Sequence, residues 1–200
     1  MARGGGSAES GVVYHLISRF VANEWFIESA VERQAYLSLL GIALAATNWT
    51  CFSFAIMSSH IHLGLVAGRD RLEDWLRPMH TNFANWVNVR RERIGAVFVR
   101  GPNFLDVPPA DCARVVNYMH YNPVRAGVVR DPQQSDWTSH RAYVGGRAPS
   151  WLSVEAGLAL CGFGGAADFE QWSSCDSMIA RKTIPKLGRG RPPGASTEAA

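Results

Sequence analysis

The sequence predicts an α+β fold, an antiparallel sheet with helices packed on one face. Two observations carry this prediction. Runs rich in β-branched and aromatic residues are interspersed with longer stretches of helical periodicity, in the order β-α-β-β-α-β-α. The second and third of those runs are separated by only Ser58-Ser59, too short for anything but a hairpin between antiparallel neighbours. With 200 residues, 47% apolar and 18% charged, the chain can bury one sizeable core and is not a disordered polymer.

Each element has its own signal. Val12 to Ser18 (VVYHLIS) has strand composition. Glu28 to Ala46 is rich in Ala, Leu, Glu and Gln, and spaces Tyr36, Leu39, Leu40 and Ala43 as one face of a helix, which Asn48 breaks. Trp49 to Met57 and His60 to Ala67 form the hairpin. Arg71 to Arg93 is a long helix with a stripe of Leu72, Trp75, Leu76, Met79, Phe83, Trp86 and Val87. Ala96 to Val99, with Phe104 to Val107 as its continuation, gives another strand, closed by Pro108-Pro109. Ala110 to Tyr121 is a short helix that Asn122-Pro123 should end. After Gly145 the pattern weakens. The expected organisation is a flexible leader over 1–10, a catalytic body over 11–147, a short helical extension over 148–180 and a basic disordered tail over 181–200.

Composition excludes several classes. Cysteines 51, 112, 161 and 175 contain no CxxC pair, so a zinc ribbon is out and a disulfide framework is disfavoured. The longest apolar run, Leu37 to Ala46, is too short to span a bilayer, and the N-terminus has no signal-peptide pattern. A soluble, cytoplasmic protein with no membrane partner is expected. The net charge of +3 is unevenly placed: residues 181–200 hold +4 and the rest of the chain −1. Eighteen of the 20 basic residues are arginine, the residue suited to bidentate phosphate contacts.

Two small constellations could carry chemistry. In a strand, alternation puts His60 and His62 on one face, where two neutral imidazoles can share a divalent ion; as an isolated pattern, two half-buried polar side chains is the commoner meaning. On a helix, Tyr118 and Asn122 are four apart and share a face, though core packing and helix termination also explain them. A tyrosine hydroxyl becomes a useful nucleophile when its deprotonation is eased or a metal polarises its target.

Taken together, these residues resemble a known family. The segments YHLISR at 14–19, FAIMSSHIHLGLV at 54–66, FANWVNVRRERIGAVF at 83–98, YMHYNPVRAGVVRDP at 118–132 and DWTSHRAYVG at 136–145 are similar to the REP-associated tyrosine transposases, the transposase-like branch of the single-tyrosine HUH nucleases. The resemblance runs from Tyr14 to about Gly145, and YxxxNPVRAG, set at its distance after MxxHxH, is its most specific part. It implies a ferredoxin-like βαββαβ core followed by a tyrosine-bearing helix. It also implies that His60, His62 and Asn122 hold a Mg²⁺ or Mn²⁺ ion and that Tyr118 is the nucleophile. The implied activity is cleavage and rejoining of single-stranded or hairpin DNA through a 5′-phosphotyrosine. Two stretches depart from the family pattern: Arg100-Gly101-Pro102-Asn103-Phe104 stands where an Arg-aromatic-Lys run is usual, and Phe20-Val21-Ala22 where Gly-Asn-Arg is usual.

Candidate DNA contacts are Arg90, Arg91, Arg93 and Arg125 in the body and Arg189 and Arg191 in the tail, where Arg189-Gly190-Arg191-Pro192 resembles the core of an AT-hook. A homodimer is left open by the sequence. Two other function classes remain at this stage: a non-cleaving, domesticated nucleic-acid-binding module of the same fold, and a phosphodiesterase using water in place of Tyr118.

Overall fold

The structure, a computed structural model, describes residues 8–183, the side chains of 176–183 excepted. Residues 1–7 of the expected leader and 184–200 of the basic tail, Arg189 and Arg191 among them, lie outside the described residues.

Strands β1 (Val13–Arg19), β2 (Thr50–Ile56), β3 (His60–Val66) and β4 (Asn103–Asp106) form one sheet in the order β2-β3-β1-β4, every pair antiparallel. Helices α1 (Ala30–Ala45) and α2 (Leu72–Arg90) make the two crossovers. This is the βαββαβ arrangement expected of the sequence. Next come α3 (Cys112–His120), α4 (Asn122–Arg125), α5 (His140–Tyr143), α6 (Val154–Leu160) and α7 (Ala166–Thr183).

Alternation along the strands divides the core in two. Leu16, Ile61, Leu63 and Phe54 point to the face covered by α1 and α2, where they pack with Phe26, Tyr36, Leu40 and Phe83. Both crossover helices lie on this face. Helix α1 starts at a capping box, in which Ser29 Oγ accepts from Val31 N (3.1 Å) and Glu32 accepts from Ser29 N (2.8 Å). The opposite face carries Val13 and Phe52 against Val116 and Met119 of α3, with Tyr143 and Phe169 from the C-terminal helices behind them. Helix α3 and the helices after it thus close the second face of the sheet. The free edge of β2 is covered by later chain, through Ile56 N to Trp137 O (2.8 Å) and Ser153 N to Cys51 O (2.9 Å). Among the described residues no helix is long and apolar enough to cross a membrane.

Local details differ from the sequence expectation. The fourth strand is Asn103–Asp106, and of the earlier run only Phe98 forms a bridge, to Phe20. Between the two, Gly101 takes φ 76°, a left-handed turn that separates the segments. Helix α2 ends at Arg90 rather than Arg93, where the chain turns through Glu92 at φ 49°. Asn122-Pro123 does not end the helical path either. Pro123 falls in the first turn of α4, where its missing N–H costs nothing, and Arg125 N and Ala126 N bond Tyr121 O and Asn122 O at 2.9 Å each.

Candidate functional site

The sheet face under α3 brings three histidines together. β3 contributes His60 and His62, and β1 contributes His15. In the β1–β3 register Arg19 opposes His60 and Ile17 opposes His62, which sets His15 diagonally beside His62 on the same face. His15 Nε2 and His62 Nδ1 are 2.9 Å apart, with the rings stacked at 5.0 Å. The His60 ring stands edge-on to His62 at 4.8 Å, and its Nδ1 is 3.1 Å from Ser59 Oγ.

Tyr118 closes the group from α3. Its ring meets His62 edge-on at 5.7 Å and His15 at 6.2 Å, and the residue is 39% exposed. Glycine allows this approach. A Cβ on Gly64 would lie 2.8 Å from the Phe52 ring and 3.1 Å from Met119 Cε, so only glycine lets Phe52 and α3 sit this close to β3. A register shift between Cys51 and Ser53 turns both Phe52 and Ser53 towards α3. Arg125, two turns beyond Tyr118, places its guanidinium 4.8 Å from the centre of the tyrosine ring.

Burial sets the charge state. It pushes the pKa of His15 and of His60 down to about 4, with Arg19 adding to the effect on His60. His62 is pushed to about 2 by burial first, then by His60, His15 and Arg19. All three are neutral at physiological pH, the form in which imidazole binds metal.

One atom stands out. His62 Nε2 is buried and has no hydrogen-bond partner. A buried polar atom left unpaired is costly, and a metal ion would satisfy it. The residues present therefore fit a divalent ion, through His62 Nε2 and the Nε2 of His60, whose other nitrogen is engaged with Ser59. Asn122 stands differently. Its Nδ2 donates to the Tyr118 carbonyl at 3.0 Å, which leaves Oδ1 as the amide atom open to a ligand; among the described residues the side-chain hydrogen bond of Asn122 is to that carbonyl and not to an imidazole. No cluster of three or more His, Cys, Asp or Glu able to hold a metal occurs among the described residues, so any site must be finished by an amide or by substrate oxygens. Two imidazoles suit a transition ion better than Mg²⁺, whose shell is mostly oxygen.

Not every sequence candidate arrives here. Arg90, Arg91 and Arg93 lie at the end of α2, across the sheet from the histidines, where they tie helices together. Arg90 reaches Glu32 (3.4 Å) and lies over Trp86, Arg91 pairs with Glu28 (2.9 Å), and Arg93 bonds Asn88 and lies over Phe26. Conversely, His15 and Arg19 were not singled out by sequence reasoning. The signal for His15 was present, a lone imidazole in the otherwise apolar run VVYHLI.

The fold has solved counterparts. A REP-associated tyrosine transposase bound to a REP hairpin superposes with a TM-score of 0.61 at 13% identity, covering 76% of this chain and 92% of that one. A structure from Deinococcus radiodurans R1 whose transposase assignment is provisional gives 0.42 at 17% identity, over 59% of this chain and 95% of that one. A bacterial tRNA(His) guanylyltransferase-like protein in complex with ATP gives 0.37 at 12% identity, over 90% and 74%. The last two scores are too low to carry an argument. No protein-family model matches the chain, and no curated protein matches it. The chain has the α+β fold of the hairpin-bound tyrosine transposase.

Proposed function

We propose that the protein is a transposase-like, single-tyrosine HUH nuclease that cleaves and rejoins single-stranded or hairpin DNA, with Mn²⁺ or Mg²⁺ as cofactor. The observation that carries this reading is the half-exposed Tyr118 packed edge-on against His62, whose Nε2 is buried without a partner. His60, His62 and Asn122 Oδ1 would hold the ion, which when bound supplies charge to offset that developing on the phosphate.

The protein's own residues perform the rest. Tyr118 Oη attacks the scissile phosphorus; the Oη–P bond forms as the P–O3′ bond breaks. Tyr118 Oη gives up its proton as it attacks, the departing 3′ oxygen takes up one in its place and leaves as a free hydroxyl, and the 5′ phosphate stays on the tyrosine. Attack by another 3′ hydroxyl reverses the step and joins strands without ATP, because the phosphodiester energy is held in the covalent link. Arg125 over the tyrosine ring and exposed Arg19 opposite His60 supply positive charge for the phosphate backbone.

The test is covalent trapping on 3′-labelled hairpin DNA, whose label stays with the fragment that keeps the 5′ phosphate. Tyr118→Phe should lose the protein–DNA adduct completely, while thermal stability and DNA binding stay near wild type, since one half-exposed hydroxyl is removed. An adduct that survives in this variant transfers the role to another tyrosine, with Tyr121 the first to examine.

A further inference from the structure

The contact between His15 Nε2 and His62 Nδ1 joins two ring nitrogens, and only one of them can carry the proton. Two arrangements are open. In the first, His15 donates from Nε2, so that the proton of His62 sits on Nε2. That N–H is then buried with no acceptor. In the second, His62 donates from Nδ1 to a bare His15 Nε2, and what stays buried at His62 Nε2 is a lone pair. Orphaned buried N–H groups are rarer and costlier than under-satisfied acceptors, so the second arrangement is favoured. It moves the proton of His15 to Nδ1, which is not among the buried atoms lacking a partner. His15 is itself buried, at 6% exposure, and held in β1 by pairing on both sides. Its backbone is fixed by that pairing, and its ring lies stacked on the ring of His62.

We infer that His15 is a positioning residue: it accepts from His62 Nδ1 and thereby fixes His62 in the tautomer whose Nε2 lone pair is bare. Such partners behind a ligating histidine set both ring orientation and basicity. The tautomer is a property of the protein alone. Its consequence, that the bare nitrogen receives a metal, rests on the function proposed above.

The experiment reads the tautomer first, in full-length protein free of metal, by long-range ¹H–¹⁵N correlation on the imidazole nitrogens. His62 should show a protonated Nδ1 and an unprotonated Nε2; the reverse pattern overturns the inference. Two variants follow. Gln in His15→Gln can still accept from His62 Nδ1 and should keep both the tautomer and the wild-type Mn²⁺ affinity to within a few-fold. His15→Leu cannot accept, should scramble the tautomer, and should weaken Mn²⁺ binding about 10–100-fold, the usual effect of losing a partner behind a ligand. Equal Mn²⁺ affinity in wild type and His15→Leu overturns the positioning role. Should the leucine variant fail to fold, the wild-type spectrum and the glutamine variant still decide. If the predicted tautomer is found while wild-type protein binds no Mn²⁺, the positioning role stands and the metal-dependent reading fails.

Discussion

Helix α3 presents Tyr118 to one histidine cluster and His120 to another, and the two clusters are built to opposite rules. Around His120 every polar group is answered. His120 Nε2 lies 2.8 Å from Ser139 Oγ, which is 3.0 Å from Ser53 Oγ and accepts from Phe54 N at 3.0 Å, while His140 Nδ1 approaches His120 Nδ1 at 3.3 Å. Tyr143 and Phe169 seal it against solvent, and none of its side-chain atoms is both buried and unpaired. Around His62 the packing is as tight, yet one nitrogen is left unanswered beside a tyrosine that reaches solvent. A satisfied buried network rigidifies and locates an element; an unsatisfied one next to a reactive side chain marks a place kept for a ligand. Here the first kind holds α3 in position, and the second kind is the one the proposed function uses.

The sharpest way to break this contrast is to exchange the losses. His62→Ala should reduce DNA cleavage on the order of 10³-fold, the scale of several kcal/mol of charge stabilisation. Its cost in stability should be only about 1–2 kcal/mol, because the ring it removes is incompletely paired. His120→Ala should do the opposite, lowering unfolding free energy by about 2–4 kcal/mol as Ser139 and His140 lose a partner. Cleavage per folded molecule should then change less than tenfold. Urea titrations alongside single-turnover assays measure both, and similar profiles for the two variants would dissolve the distinction.

Acid sharpens what the clusters share. Burial holds His15, His60 and His140 at about 4, below the unfolded histidine value of about 6.5. The unfolded chain therefore binds more protons between those limits. Stability should be full above about pH 6.5 and fall steadily as the pH drops towards 4. The urea midpoint followed over that window should show the decline, and His140→Gln should lessen the slope by up to about 1.4 kcal/mol per pH unit. A flat midpoint would mean that these imidazoles are not buried neutral.

The smallest effect concerns the solvent side of the site. Arg125→Ala removes the guanidinium over the Tyr118 ring, an interaction of about 0.5–1 kcal/mol. Cleavage should fall about two- to fivefold with little change in stability. His120 has no such exposed cover, so a loss larger than that of His62→Ala would recast Arg125 as the principal phosphate group.

Much of this was legible in the sequence because it depends on local periodicity. A period of two places His60 and His62 on one face of any strand, and helical spacing places Asn122 one turn beyond Tyr118. The strand and helix order, and from it an antiparallel sheet with helices packed on one face, follow from the same kind of signal, which does not show that α3 and the later helices cover the other face. What the sequence alone could not supply is whatever depends on contacts between distant segments. His15 joins His62 across 47 residues only through the β1–β3 register, and Arg90, Arg91 and Arg93, at and just beyond the end of α2, are drawn to Glu32, Glu28 and Phe26 by packing on the far face. That α3 lies close enough for Tyr118 to touch His62 depends on the missing side chain of Gly64 and the shifted register at Phe52. Periodicity is a property of neighbours along the chain, so one strand or helix reveals it. Register and close approach are properties of pairs of elements, and only the folded core decides them.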